Sequence, residues 1–499
     1  MSIPRSQDGV HFSVQTSTVQ RGLPTIGYKT SSKEIPSDKV YDVVVLGAGY
    51  TGLIAARDVA EAGARVLLVE GRDRVGGRTW TCEMMGNKFE MGGEWVHWIH
   101  PHIWSELSRY GLTEPKDFLT TQGSAAAEFC SLHENNPTPG PTKFLDRETV
   151  EQRMEQVTKA FFDIDGQGGT TIFPWPYEPL SNLEAVKKYD SLTVRERLNQ
   201  LVDFSKEDLM YLYSNLVVFG STPPEEASFL AILRYYALAG YSWSRLLEVS
   251  DHFKLTIGHS GMANLIFDDF AVTGDSIFGD PVRAVDSQPG SVTMALQSGK
   301  MVRSKRIICT LPLHCLSDVD FQPPLPSQFT SRHPNYGGKV HIHIDSKIPY
   351  WCGFGEPGAP VDCLLTDRYS DMEGTFLTGF PGGWAKRAGR QVVDDPERFL
   401  QATFKSYFPS EWASKPTDLI WHDWNTDPFS NGQWGAWGAG QLTTDFKTLS
   451  ESAYISNEVI LANSDWARGW TGWVDGAAEE GKRAAAHVVR QIRRERAKK

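Results

Sequence analysis

The sequence has no hydrophobic run long enough to cross a membrane and no apolar leader at its start. A bilayer-spanning helix needs roughly 18 to 20 mostly apolar residues, and the polar opening, residues 1–7, lacks the hydrophobic region of a signal peptide. Residues 496–499 do not form the S-K-L peroxisomal signal. The sequence therefore predicts a cytoplasmic protein with no membrane partner.

Cysteine is scarce, and its spacing excludes two kinds of site. The six cysteines in 499 residues form no C-x-x-C pair and are too few for a disulfide framework. No Cys, Asp or Glu cluster completes a metal site around His341 and His343, which alternate with apolar residues in a strand-like segment at 339–345. We predict no bound metal.

Competing catalytic motifs are absent as well. The chain has no G-x-S-x-G, no H-E-x-x-H and no G-x-x-x-x-G-K-[ST] sequence. Its net charge of −11 disfavours nucleic acid as a partner. With 40% hydrophobic and 22% charged residues, the chain can bury a substantial core and is expected to form more than one lobe.

A nucleotide fingerprint lies near the front of the chain. The apolar residues 43–46 lead into G-x-G-x-x-G and a helical pattern, and a second strand at 65–69 ends in an acid. Such glycines allow a tight turn and close approach to a pyrophosphate, and the acid binds ribose hydroxyls. A turn required only for packing is the alternative, but this context favours a dinucleotide. The predicted contacts are Gly47, Gly49, Tyr50, Thr51, Gly52 and Glu70.

Three further segments point to one cofactor. Residues 71–79 continue past the acid as GRDRVGGRT, a Gly-Gly pair with acidic and aromatic neighbours lies at 92–95, and residues 461–481 form an aromatic, glycine-rich ending. Together they resemble the flavin-dependent amine oxidases, and within that family the fungal-type monoamine oxidases. The resemblance extends from about residue 40 to the end.

The resemblance implies FAD, with particular residues around it. Arg72 would lie near the adenosine and Arg78 would supply charge to the phosphates, while a helix beginning near Thr471 would direct its N–H groups at the flavin. FAD is expected to be non-covalent, because residues 431–440 contain no cysteine. The cofactor contacts implied in addition to the fingerprint are Arg72, Gly77, Arg78, Gly93, Glu94, Trp95, Val282, Asp465, Trp473 and Val474.

Glu94 departs from the family pattern, which has a small residue at this place. We expect its carboxylate to be satisfied by backbone donors near the ribityl chain. The alternative is a charge that recognises the substrate.

The resemblance also implies three catalytic residues. Trp434 and Trp473 would form two aromatic walls around the substrate nitrogen. Lys339 would hold a water against flavin N5.

The expected fold is α/β, with a Rossmann-like FAD-binding lobe interleaved with a mixed α+β substrate lobe. An N-terminal arm, over the body or partly disordered, is predicted for residues 1–39. The FAD-binding domain is predicted for residues 40–115, 261–320 and 441–499, and the substrate domain for residues 116–260 and 321–440. Helical patterns at 147–162 and 223–241 and strand patterns at 281–285, 292–296 and 306–310 support this division.

The resemblance implies an FAD-dependent oxidase that converts an amine to an imine and reduces O2 to H2O2. The alternatives are an L-amino-acid oxidase with Arg234, Arg245 or Arg368 binding the carboxylate, and a biosynthetic oxidase that desaturates or cyclises an alkaloid-like amine. A flavin-binding scaffold without turnover is the non-enzymatic alternative. A homodimer is an open possibility, because oligomeric state cannot be read from this sequence.

Overall fold

A computed structural model provides the structure of the chain, and part of the chain is outside its description. The described residues are 3–32, 35–36, 38–133, 143–330, 338–356, 358–370, 373–381, 392, 394–409, 412–451, 453 and 455–498.

A parallel sheet forms the centre of the nucleotide-binding region. Its strands have few polar residues and are buried on both faces, as is typical of a sheet covered by helices. In spatial order they are Asp275–Ile277, Val66–Val69, Val43–Leu46, Ile307–Cys309 and Val459–Leu461. Four of the five end on the cavity described below, so the topology brings distant parts of the chain to one edge.

A large sheet, antiparallel except for one pair, forms the second layer. Strand Phe129–His133 pairs in parallel with Trp351–Gly355, and the other neighbours are antiparallel. Its strands in spatial order are Lys143–Asp146, Phe129–His133, Trp351–Gly355, Cys363–Tyr369, Thr375–Phe380, Val340–Ile344, Pro416–Trp421, Val10–Ser13 and Thr18–Arg21. The first two strands come from residues 129–146 and the last two from residues 10–21, whereas the five between them lie at 340–421. This sheet also is therefore assembled from segments that are remote in the chain.

The described residues also form smaller sheets. A five-stranded sheet contains Asp320–Gln322, Val282–Gln288, Ser291–Leu296, Met301–Ser304 and Val40–Tyr41, and two-stranded pairs join Phe253–Leu255 to Phe118–Thr120 and Thr81–Met84 to Asn87–Glu90.

Helices cover the parallel sheet and form much of the region between residues 147 and 271. Helix Tyr50–Glu61 packs against the final helix, Val474–Arg496, through small residues such as Gly481, whose added Cβ would lie 2.7 Å from the Thr51 oxygen. The α-helices are Tyr50–Glu61, Pro101–Arg109, Gln122–Ala125, Arg147–Phe162, Leu183–Tyr189, Val194–Asn199, Lys206–Gly220, Phe229–Leu238, Trp243–Asp251, Gly258–Ala271, Pro396–Tyr407, Lys447–Glu451 and Val474–Arg496. The 3₁₀ turns are Pro115–Asp117, Leu313–Asp318, Ser327–Phe329 and Ser464–Trp466, and a π-helical turn spans Leu442–Phe446.

The expected α/β architecture is confirmed, and several boundaries differ. The helix predicted at 223–241 covers only Phe229–Leu238, because Ser228 caps its start by accepting a hydrogen bond from the Ala231 N–H. The final helix begins at Val474 and not near Thr471, because Gly472 has a φ of +79° that ends the preceding turn. The helix at Arg147–Phe162 has the bounds expected from its periodicity.

The N-terminal segment is more ordered than the predicted arm. Val10–Ser13 pairs with Pro416–Trp421 on one side and Thr18–Arg21 on the other. The description of the segment as an arm lying over the body is therefore incomplete, because edge pairing with a remote strand gives no local sequence signal. The division into two interleaved domains stays a prediction.

Membrane insertion has no support from the helices. Within the described ranges, none of them combines the length and the apolar character that crossing a bilayer requires.

Candidate active site

A cavity of about 1860 Å³ opens at the carboxyl ends of the parallel strands. Leu46, Val69 and Ile277 are the last residues of three strands, and Thr310 follows a fourth. Open parallel sheets bind ligands at this edge. The cavity continues to Lys339, next to a strand of the large sheet, so it touches both layers.

The glycine-rich loop forms one wall of this cavity. Gly47 has a φ of +100°, and a Cβ at Gly52 would lie 1.9 Å from the Gly47 oxygen. A Cβ at Gly77 would lie 3.0 Å from Gly49 Cα. Gly49 precedes the helix at Tyr50–Glu61 without a side-chain cap, so the first N–H groups of that helix have no side-chain partner there. This arrangement is suited to a pyrophosphate.

The remaining fingerprint residues divide into cavity-lining and packing positions. Tyr50 and Thr51 line the cavity, but the Tyr50 hydroxyl contacts His259 Nδ1 at 2.9 Å and Thr51 donates to the Ala477 oxygen at 3.0 Å. Gly52 is absent from the lining among the described residues and serves close packing.

Glu70 lines the cavity with its carboxylate already oriented. One oxygen accepts from the Ala48 N–H at 2.6 Å and the other from the Arg72 N–H at 2.8 Å. Burial raises the pKa of this carboxyl group, and the two backbone donors act against that rise. Each oxygen keeps a lone pair for a further donor, which suits the two hydroxyls of a ribose.

Arg72 belongs to a buried group that we call the arginine cluster, comprising Asp8, Arg72, Arg74, His422 and Asp427. Asp8 Oδ2 accepts from Arg72 at 2.8 Å and from Arg74 at 2.7 Å. Asp427 accepts from Arg72 at 2.6 Å and contacts His422 at 2.6 Å. Although two acids and a histidine converge here, the arginines engage both carboxylates, so the group is an ion-pair cluster.

Arg78 connects the two halves of the site. Its guanidinium donates to Asp465 Oδ1 at 2.8 Å and to the Gln433 oxygen at 2.7 Å, and it lines the cavity. The other Asp465 oxygen accepts from the Leu313 N–H at 3.1 Å. Asp465 therefore contacts Arg78 and backbone and does not line the cavity among the described residues. Contact of Arg78 with phosphates stays a prediction.

Glu94 lies in a second buried group, the lysine cluster of Glu94, Lys254, Lys339 and Asp367. Lys339 Nζ donates to Glu94 Oε2 at 2.6 Å and to the Gly92 oxygen at 2.8 Å. Lys254 donates to Glu94 Oε1 at 3.1 Å and to Asp367. The expectation that backbone donors satisfy the Glu94 carboxylate is wrong, because two ammonium groups do so. Gly93, Glu94, Trp95 and Lys339 line the cavity, whereas Lys254 and Asp367 are not among its described lining residues and reach it through Glu94.

Burial and neighbouring charge set the protonation states near this cluster. Burial opposes ionisation of Glu94, but Lys339 and Lys254 outweigh it and hold the pKa of Glu94 well below its usual range. Burial and the Glu94 charge raise the pKa of Glu90 to about 7. Burial lowers the pKa of His259 and of His341 to about 4, so both imidazoles are neutral at pH 7.

The two predicted cage tryptophans reach the cavity from different loops. A Cβ at Gly472 would lie 2.7 Å from the Gly435 oxygen, so these glycines allow the loops to touch. Trp434 and Trp473 are the neighbours of those glycines, and both line the cavity. Trp473 also precedes the final helix, and Val474 in its first turn lines the cavity as well.

Beyond the tryptophans the cavity is aromatic. Tyr235 meets Trp473 edge to face with ring centroids 5.8 Å apart, and its hydroxyl donates to the Thr471 oxygen at 2.8 Å. Lys339 Nζ lies 5.0 Å from the ring centroid of Trp95. We call this region the aromatic end, and it consists of Trp95, Phe219, Tyr235, Phe380, Trp434 and Trp473.

The three arginines considered for a substrate carboxylate do not line the cavity in the described part of the chain. Arg234 is buried and donates to the Arg468 and Gly469 oxygens. Arg368 donates to Asp367 and to the Lys88 oxygen, and Arg245 is exposed. The histidines of the strand Val340–Ile344 are bonded within the protein, for example His341 to the Glu90 oxygen at 2.9 Å.

Several site residues carry no signal in the sequence. Lys254 and Asp367 occur in ordinary strands, Asp8 in the N-terminal segment, and Tyr235 in a helix. A buried position for a charged residue within an apolar strand is the only local signal that could have identified Lys254.

The cavity and its donors fit FAD. The glycine cradle and uncapped helix suit the pyrophosphate, Glu70 suits the ribose, and the start of the final helix lies beside the aromatic end. Val282 begins a strand and lines the cavity. It lies near Glu70, because Asp280, two residues before it, donates its N–H to the backbone oxygen of Glu70 at 3.3 Å. Cys315, which also lines the cavity, lies beside Pro428 and Asn431.

Comparison with known proteins agrees with this geometry. Residues 50–489 match the family model described as flavin containing amine oxidoreductase. A nicotine dehydrogenase of Pseudomonas putida is 27% identical over 454 residues, which cover 90% of this chain and 88% of that protein. Human amine oxidase [flavin-containing] B is 25% identical over 469 residues, covering 90% and 86%.

Two solved structures share the fold. Wild-type putrescine oxidase bound to putrescine superposes with a TM-score of 0.72 at 21% identity and covers 91% of this chain and 99% of its own. Cyclohexylamine oxidase from Brevibacterium oxydans gives 0.67 at 19% identity, covering 91% and 100%.

Proposed function

The chain belongs to the flavin-containing amine oxidoreductase family and is an FAD-dependent amine oxidase, and from that premise we propose that it oxidises an amine with a single basic nitrogen on an apolar, ring-containing body. The observation that carries this proposal is the composition of the aromatic end. Six aromatic side chains line this part of the cavity, and among the described residues the charged groups beside them, Glu94 and Lys339, are paired with each other. The resemblance of the chain to fungal-type monoamine oxidases within this family stays a prediction.

FAD supplies the two-electron redox chemistry, and the protein supplies binding and orientation. Trp434 and Trp473 bound the slot in which the neutral amine nitrogen lies. Ring faces attract a partly positive nitrogen. Tyr235 fixes the position of Trp473 through the edge-to-face contact, because its own hydroxyl is engaged by the Thr471 oxygen.

The charge distribution disfavours two other substrate classes. An amino acid requires a cation for its carboxylate, and the arginines considered for that role are elsewhere. A diamine such as the putrescine bound to the structural relative carries a second ammonium group. Among the described residues, the Glu94 carboxylate beside the aromatic end is already paired with Lys254 and Lys339, so that second charge would lose its hydration without a partner.

Anaerobic mixing with four amines tests the substrate class. The panel is benzylamine, a cyclic secondary amine, putrescine and L-leucine, and the measurement is bleaching of the flavin absorbance. We expect one of the first two to reduce the flavin at least about a hundredfold faster than the last two, equivalent to roughly 2.7 kcal/mol of barrier. Fastest reduction by putrescine or L-leucine would contradict the substrate proposal and leave the family assignment intact.

Oxygen is the electron acceptor in this proposal. A peroxide assay during turnover tests it, with one H2O2 expected for each amine consumed. Turnover that needs an added dye and yields no peroxide would show another acceptor. The predicted cytoplasmic location and a homodimer are tested separately, by imaging of the tagged chain and by light scattering.

A further inference from the structure

The lysine cluster contains two cations and two anions in a place where the family resemblance implies one lysine and a small residue. Lys339 and Glu94 have side chains only 4% and 2% exposed, and their charged atoms lie 2.6 Å apart. Lys254 and Asp367 are equally buried, at 4% and 2%. Water therefore screens these charges little, and their arrangement determines the field in the adjoining cavity.

Only one half of the cluster faces the cavity. Glu94 and Lys339 line it, and Lys254 and Asp367 complete the charge balance from behind. Two opposite charges this close act as a dipole, whose field falls off faster than that of a single charge. The carboxylate of Glu94 thus cancels much of the positive field that Lys339 would otherwise direct into the cavity.

Removing the Glu94 charge would reverse this balance. Lys254 and Lys339 would keep only the Asp367 carboxylate, which Arg368 also contacts, so the cluster would become one unit more positive. Loss of the Lys339 charge would make the cluster one unit more negative. The two changes should therefore act in opposite directions on any group in the cavity that gains negative charge.

We propose that Glu94 is a positioning residue that lowers the reduction potential of the bound flavin by neutralising Lys339. A flavin gains negative charge on reduction, so an unbalanced cation nearby favours the reduced form and an unbalanced anion opposes it. The proposal requires bound FAD but no particular substrate. Its test needs no amine, so failure of the substrate assignment would not affect it.

The experiment is an anaerobic reductive titration of the FAD-loaded protein against a reference dye. It compares wild type with Glu94→Gln, Lys339→Met and the double variant, all at pH 8.5, where Glu90 is ionised. We expect Glu94→Gln to raise the equilibrium constant for flavin reduction at least about tenfold, which is about 30 mV for a two-electron couple. Lys339→Met should lower it by a similar factor, and the double variant should return to within about threefold of wild type.

Glu106→Gln is the matched control. Glu106 is also a buried glutamate, bonded to Arg57 at 2.5 Å and to Lys482 at 2.7 Å, and it does not line the cavity among the described residues. It should leave the potential unchanged. FAD content and thermal unfolding are measured for every variant.

Three results would overturn the proposal. They are an unchanged potential in Glu94→Gln, a shift of the same sign in both single variants, and no compensation in the double variant. If Glu94→Gln does not retain FAD, Lys339→Met alone decides, and a potential that fails to fall contradicts the proposal.

Discussion

The arginine cluster and the lysine cluster contain similar groups but contact the cavity in different ways. In the arginine cluster, Asp8 and Asp427 hold Arg72 from two sides, and Asp8 also holds Arg74. These bonds connect the N-terminal segment, the loop after the second parallel strand and the loop at 422–427. In the lysine cluster, a single carboxylate joins two ammonium groups, and one ion pair faces the cavity.

The arginine cluster joins segments of the chain, whereas the lysine cluster sets the charge that faces the cavity. A guanidinium bonds in several fixed directions and stays charged, so it suits a junction of chain segments. An ammonium is a compact point charge, and its field in the cavity depends on the one neighbour that balances it. We therefore expect changes at the arginine cluster to affect stability and FAD binding, and changes at the lysine cluster to affect electron transfer.

The largest expected effect is at the arginine cluster. Asp8→Asn removes the carboxylate between Arg72 and Arg74 and leaves the buried Arg74 without its charged partner. We expect a loss of about 3 to 5 kcal/mol in the free energy of unfolding, measured by urea titration. Asp268→Asn, at an exposed side chain, is the control. A variant as stable as the control would show that the N-terminal segment is not held by this junction.

Trp473→Ala addresses the opposite end of the cavity. Loss of the indole should misplace the amine nitrogen without releasing FAD, so flavin reduction at saturating amine should slow by about a hundredfold. Stopped-flow absorbance measures the limiting rate. Trp175→Ala, at a residue 70% exposed, should have no effect. An unaltered limiting rate in fully loaded Trp473→Ala would remove this residue from the cage.

Glu70→Ala tests the end of the cavity at which the adenosine of FAD is predicted to bind. Removing its charge-assisted bonds should weaken FAD binding by about 1.5 to 3 kcal/mol and leave the amine reaction of the loaded enzyme nearly unchanged. Fluorescence titration of the apoprotein with FAD measures the affinity, with the exposed Glu128→Ala as control. Equal affinities for the two variants would place the ribose elsewhere.

Lys339→Met tests the lysine cluster through the reaction of reduced flavin with oxygen. A positive charge near the flavin stabilises the superoxide-like species that forms as oxygen accepts an electron. We expect reoxidation to slow by about tenfold, equivalent to roughly 1.4 kcal/mol, with a smaller change in anaerobic reduction by amine. The two half-reactions are measured separately. If only the amine half-reaction changes, the ammonium does not assist oxygen.

The smallest expected effect is a pH dependence at Glu90. Its folded-state pKa of about 7 lies above its ordinary value, so the folded state binds the proton more tightly. The resulting stability is complete below about pH 4.5 and is lost as the pH rises through about 7. Between pH 6 and 7.5, wild type should lose about 1 kcal/mol more unfolding free energy than Glu90→Gln. Parallel curves for the two proteins would place the pKa of Glu90 outside this window.

The flavin fingerprint could be predicted because its requirements are local. The turn at Gly47 needs a positive φ, and the closeness of Gly52 to the Gly47 oxygen excludes a side chain, so glycines appear at fixed spacing. The α/β class, the family and FAD were predicted from the resemblance that such motifs carry, and all three are confirmed. Trp434 and Trp473 were predicted from the resemblance, and the structure places both on the cavity, while their roles stay predictions.

The sequence by itself determined the cofactor, the fold class and the positions of the cavity-lining glycines, because close backbone contacts and turns constrain neighbouring residues. The tertiary structure alone decided what each charge is paired with. Glu94 meets Lys254 and Lys339 from 160 and 245 residues away, and Asp8 meets Asp427 through Arg72. Side chains that remote obey no spacing rule, and their pairing follows only from how the sheets and loops come together.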